Sequence, residues 1–99
     1  MIARHWRGLV KRERADAYVE HLQSQTLPQL VQLAGFHDAR VLRRDLPQGV
    51  EFLVVTIWES LDSIRAFAGT DVESAVVPPE ARDMMIEYDR KARHYEVVD

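Results

Sequence analysis

The order of apolar patterns along the chain predicts an α+β fold of the βαββαβ type, and three observations carry that prediction. From Phe52 to Trp58 only Thr56 is polar, so this stretch lacks the alternation of a strand with one wet face and reads as a strand covered on both sides. It is preceded by Leu46-Pro47-Gln48-Gly49, a hairpin turn with proline at the second position and glycine at the fourth, and followed at once by Ser60, a good helix cap. A helical period from Arg12 lies between two further strand-like stretches.

The chain has 99 residues, which suits one domain over residues 1–99, near the size where association with a second chain adds useful burial. Thirteen Lys and Arg against sixteen Asp and Glu give a formal charge of -3. The two signs are interleaved, as in Lys11-Arg12-Glu13-Arg14, which argues against a nucleic-acid-binding face. With no cysteine, disulfide frameworks, thiolate metal sites and cysteine nucleophiles fall away together. The start carries charges where a secretory signal has its apolar core, and no apolar run reaches membrane-spanning length. The cytoplasm is therefore expected, with no membrane partner.

Ile2 to Val10 mixes β-branched and aromatic residues with charged ones, placing Ile2, Trp6 and Val10 on one face and Ala3, His5, Arg7 and Leu9 on the other, a first strand. From Arg12 the period becomes helical, with Ala15, Tyr18, Val19, Leu22, Thr26, Leu30 and Leu33 on one stripe. Pro28 predicts a kink or restart, with Thr26 as the cap of a second segment, and Gly35 closes the helix. Phe36 to Arg44 suits a second strand, and the hairpin leads into the apolar third. After it, Ser60 caps a helix whose stripe is Leu61, Ile64 and Phe67 or Ala68, ending at Gly69, with Asp62 favourable in its first turn. Asp71 to Val76 reads as a short helical turn stopped by Pro78-Pro79. Arg82 to Arg90 has no clear period, and Ala92 to Val98 suits a last strand.

This order gives the split, ferredoxin-like arrangement: a four-stranded antiparallel sheet with both helices on one face. The other face stays bare. Because the third strand is apolar on both sides, a second copy packed sheet against sheet is the economical cover, which predicts a homodimer.

Ala34-Gly35-Phe36, Thr56-Ile57-Trp58-Glu59-Ser60, Ala66-Phe67-Ala68-Gly69-Thr70-Asp71 with Ala75-Val76, and His94-Tyr95-Glu96-Val97 resemble the antibiotic-biosynthesis-monooxygenase family of dimeric α+β barrels. The resemblance spans nearly the whole chain. It implies either a cofactor-independent oxygenase acting on phenolic or polyketide-type compounds, or a domain of the same shape without activity. Heme-degrading relatives use an asparagine, a tryptophan and a heme-ligating histidine where this chain places Trp6, Phe67 and Val77, so heme degradation is not expected. Quinone-forming relatives use an asparagine, a tryptophan and a tyrosine where this chain places Val54, Trp58 and Ile64. Only Trp58 is retained.

An oxygenase with neither metal nor flavin needs a substrate that gives an electron to dioxygen as its phenolate or enolate, and a protein that removes a proton and holds the anion in a dry pocket. The expected catalytic residues are His94 or His5 as base and Arg4 for the anion, with Trp6, Trp58, Phe67 and Tyr95 as substrate-binding walls; no cofactor and no metal are expected. Bland readings stand beside these. Trp58 can be packing that closes a cavity, Trp6 dimer packing, and His94 a hydrogen-bonded strand histidine. His94 and Glu96 share a strand face, but a third metal ligand is not evident. His21 and His37 read as solvent-facing. A non-catalytic dimer binding a small apolar ligand is the alternative.

Overall fold

The computed structural model describes residues 1–99. The chain runs β1 (Ile2–Val10), α1 (Ala15–His21), α2 (Leu27–Leu30), β2 (Phe36–Asp45), β3 (Val50–Trp58), α3 (Leu61–Ala68), α4 (Pro79–Arg82), β4 (Met85–Tyr88) and β5 (Arg93–Glu96). The sheet order is β2-β3-β1-β4, with β5 also on β1, and every pairing is antiparallel. This is the split topology, with its edge strand in two pieces. The C-terminal half of β1 pairs β4 and the N-terminal half pairs β5.

Direct partners across a ladder share a face, so the pairings Ile2↔Trp58, Arg4↔Thr56, Trp6↔Val54, Gly8↔Phe52 and Val10↔Val50 define one side of the sheet. The helices lie there. Trp6, Val10, Val50 and Phe52 form one cluster with Ala15, Tyr18 and Leu22, and Trp58 forms a second with Leu30 and Ile64. The opposite side presents His5, Arg7, Leu53, Val55 and Ile57, only partly buried, with Leu42 and Tyr95 about half exposed. Within one chain, β3 is therefore covered on one side only.

The hairpin turn closes by reciprocal bonds between Leu46 and Gly49, 2.8 and 3.2 Å. At the start of α3, Ser60 Oγ accepts from the Ser63 N–H and Ser63 Oγ accepts from the Ser60 N–H, both at 3.2 Å, a reciprocal cap. Gly35 precedes β2 at φ +86, and a Cβ there would meet Ser63 Cβ at 2.5 Å, so this position suits glycine on both counts.

Three local expectations are corrected, and one unassigned stretch is filled in. Thr26 is no cap: it is helical and makes no capping bond. The chain stays helical through a π-type turn at Leu22–Thr26, a widening that precedes Pro28, where the missing N–H and the ring disturb ordinary α bonding. Asp71 to Val76 is not a helix; Asp71 Oδ1 caps a single turn by accepting from Glu73 N, and the chain then runs as an extended strap to Pro78. Pro78-Pro79 starts a helix instead of stopping one, because proline at the first helical position costs no bond. The Arg82–Arg90 stretch contains β4, whose alternation is hidden by its length of four residues.

Candidate functional site

Between the helix face of the sheet and the helices lies a mostly apolar cavity of about 40 Å³. β1 supplies Arg4 and Trp6, β3 supplies Val54 and Thr56, and the helical stretch supplies Tyr18, His21, Leu22, Thr26 and Leu30. Phe67 and the strap Val76–Pro78 with Ala81 complete the wall. That volume holds roughly two or three waters. A ring-sized ligand enters only if the strap or side chains move.

Arg4 is the unusual group. It is 5% exposed, its Nη2 donates to the Ser74 carbonyl at 2.7 Å, and its guanidinium lies 5.4 Å from the Phe67 ring centroid. Its Nε is buried without a partner. Burial alone lowers its pKa to about 10, so it stays cationic at neutral pH with no carboxylate to offset the charge. A buried cation in that state is costly, and an anion in the cavity would relieve the cost.

His94 is the direct cross-strand partner of Arg4. Its Nε2 is also buried and unpartnered, and burial together with the Arg4 charge depresses its pKa, against a smaller opposing pull from Glu73. His94 does not line the cavity.

Trp6 and Phe67 line the cavity. The Trp6 indole is fixed by donating to the Asp89 carbonyl at 2.8 Å. Trp58 is fully buried behind Phe67, ring centroids 6.1 Å apart, and donates Nε1–H to Thr56 Oγ1 at 2.8 Å. It packs the core and supports the cavity without touching it. His5 and Tyr95 form an edge-to-face pair, centroids 5.0 Å apart, on the opposite side of the sheet. The expectation of His5 as base and Tyr95 as wall in this cavity is thereby corrected: the pleat turns residue 5 away wherever residue 4 points in.

His21 reverses another expectation. It is 8% exposed and lines the cavity, with its ring stacked on Tyr18 at 6.2 Å and 17°. The signal was available, because a residue three after Tyr18 and next to Leu22 falls on the same helical stripe. Burial pushes the Tyr18 hydroxyl up, so it remains protonated. No three His, Asp or Glu side chains converge anywhere in the chain.

The family profile "Antibiotic biosynthesis monooxygenase" matches residues 1–83. The chain belongs to the antibiotic biosynthesis monooxygenase family. The fold recurs in proteins provisionally designated antibiotic biosynthesis monooxygenases. That from Nitrosomonas europaea matches with TM-score 0.72 at 18% identity, over 100% of both chains. Those from Bacillus cereus (TM-score 0.67) and Deinococcus radiodurans (TM-score 0.65) match at 19% identity, each over 100% of this chain and 94% of the other. At such identities the likeness establishes the shared fold. No curated protein matches the chain. In this member β3 ends in the buried Trp58, and β1 carries the buried Arg4.

Proposed function

We propose that this family member is a small oxygenase-type enzyme that uses no metal or flavin and acts on a weakly acidic aromatic or polyketide-type compound in the cavity between sheet and helices. The observation that carries the reading is Arg4, a buried cation facing an apolar cavity with no anionic partner of its own. Such a site favours a phenolate or enolate over its neutral parent. Trp6 and Phe67 supply flat apolar walls.

The chemistry balances with dioxygen as the only co-reactant. A ring CH₂ activated by neighbouring phenol or ketone groups loses a proton, and the resulting carbanion adds dioxygen, gaining a C–O bond. The peroxide anion takes up the proton to give a hydroperoxide, which loses its remaining C–H hydrogen and breaks its O–O bond to expel water, leaving a ketone. One oxygen atom ends in product and one in water, and the substrate supplies all four electrons. Arg4 holds the anion, and the cavity walls exclude bulk water from it.

The bare sheet face supports a homodimer, and the absence of any helix long and apolar enough to cross a membrane is compatible with the proposed cytoplasmic setting. The experiment is oxygen uptake by the metal-stripped protein with anthrone-like phenols that carry an activated ring CH₂, alongside Arg4→Gln, His94→Ala and His5→Ala. Turnover abolished by Arg4→Gln and unchanged by His5→Ala is expected. No uptake above the buffer rate would sink the enzyme reading. The cavity's small volume favours the second reading, a non-catalytic dimer that binds a small ligand, in that event.

A further inference from the structure

We propose that His21, rather than His94, is the proton acceptor of this cavity, and that the ligand it serves is a single-ring phenol or enol whose anion is held by Arg4. The ligand class rests on the oxygenase-type reading above; the choice of residue rests on placement.

Of the four histidines, His21 is the one on the cavity wall. It ends α1, and the π-type turn begins at the next residue. Its ring is held against Tyr18, which is in turn fixed edge-on against Phe52 at 4.9 Å. An imidazole on the cavity wall is within reach of a ligand's proton, which is the first requirement of a proton acceptor. His94 is disqualified by the same tests. Its Nε2 is sealed in protein, it does not border the cavity, and the adjacent Arg4 charge opposes its protonation.

The electrostatics close around His21. The charged or titratable groups on the cavity wall are Arg4 from β1 and Tyr18 from the same helix; β3 contributes Val54 and Thr56, and the strap and α4 contribute apolar side chains. Tyr18 stays a neutral hydroxyl at neutral pH because burial raises its pKa. Thr56 already accepts from Trp58. In the transfer, the ligand's O–H bond breaks, the proton joins a ring nitrogen of His21, and the electron pair stays on the ligand oxygen facing Arg4. The anion then lies in a cavity bearing two cations, Arg4 and the new imidazolium, where a neutral ligand would leave Arg4 unpaired.

The test uses 4-nitrophenol, whose phenol and phenolate forms absorb at different wavelengths, so ionisation of the bound dye is read without turnover. Wild type should bind it as phenolate at a pH where the free dye is mostly phenol. His21→Gln should lower the ratio of bound phenolate to phenol at least about tenfold, a shift of one pKa unit or more. His94→Gln should leave the ratio unchanged, and Arg4→Gln should weaken binding. Because His21 is buried and its replacement can disturb folding, imidazole nitrogen NMR on wild type provides an independent arm: dye saturation should convert His21, not His94, to the imidazolium. Protonation of His94, an unchanged ratio in His21→Gln, or no dye binding by wild type overturns the inference. Bound, ionised dye without oxygen uptake on any phenol sinks the oxygenase reading and leaves His21 in its role. Full oxygen uptake in His21→Gln does the reverse.

Discussion

Arg4 and His94 are direct partners across the β1–β5 ladder, and each carries a buried nitrogen that meets no hydrogen-bond partner, Nε of Arg4 and Nε2 of His94. Buried polar nitrogens without partners lower stability. The Arg4 guanidinium, unlike His94, lies on a cavity whose contents could compensate.

Arg4→Met therefore separates stability from function. Removing a buried, unpaired guanidinium while keeping its apolar stem should stabilise the fold by about 1–4 kcal/mol, although the bond to the Ser74 carbonyl is lost. Urea denaturation should show a higher midpoint, with 4-nitrophenol binding abolished. A destabilised variant would mean that the Ser74 tie outweighs the buried charge.

His94 makes the fold acid-sensitive in a defined window. Its folded pKa lies below the ordinary 6.5, so the unfolded chain takes up this proton first as pH falls. Well above pH 6.5 both states are neutral and the group contributes nothing. Below 6.5 stability declines, levelling off once folded His94 also protonates. His94→Gln should flatten that part of the stability–pH curve measured by urea midpoints, and an identical slope in the variant would refute the assignment.

The Trp58–Thr56 bond is buried at both ends. Thr56→Val keeps the shape but leaves an indole N–H without an acceptor, which should cost about 1–3 kcal/mol. Trp58→Phe removes the donor and frees Thr56 together, opening space beside Phe36 and Phe67. Thermal denaturation of both variants checks the pair, and a loss near zero in Thr56→Val would show that the indole finds another acceptor.

Two glycines with almost the same φ should differ in cost. Gly69, at φ +87 and ψ −164, ends α3 with nothing within 4 Å of a built Cβ, so Gly69→Ala should cost only the backbone strain, roughly 1–3 kcal/mol. Gly35→Ala adds a clash with Ser63, whose side chain caps α3. Chemical denaturation should rank Gly35→Ala as the worse of the two.

Val55→Arg tests the proposed homodimer. Val55 lies on the bare face, opposite His5 on one side and Arg40 on the other. A charge there should leave the chain folded and convert a dimer to monomer in sedimentation velocity. A wild type already monomeric at tens of micromolar would remove the proposal.

The apolar run Phe52–Trp58, the Leu46–Gly49 turn, the Ser60 cap and the helical stripe from Ala15 determined the strand and helix order by themselves, because each is a local preference written in consecutive residues. Two features escaped: β4 is too short to establish a period, and the strap from Asp71 to Pro78 is held by non-local backbone bonds to residues 90 and 92 that no local pattern announces. Arg4, Trp6 and Phe67, named as candidates from the sequence, line the cavity. Which histidines border the cavity was decided by register and packing, although the helical stripe already grouped His21 with Tyr18 and Leu22. Register sets residue 5 on one side of the sheet and residue 4 on the other, and packing seals His94 behind Arg4. The stripe that buries Tyr18 and Leu22 carries His21 in with them, onto a wall built from segments more than fifty residues apart in the chain.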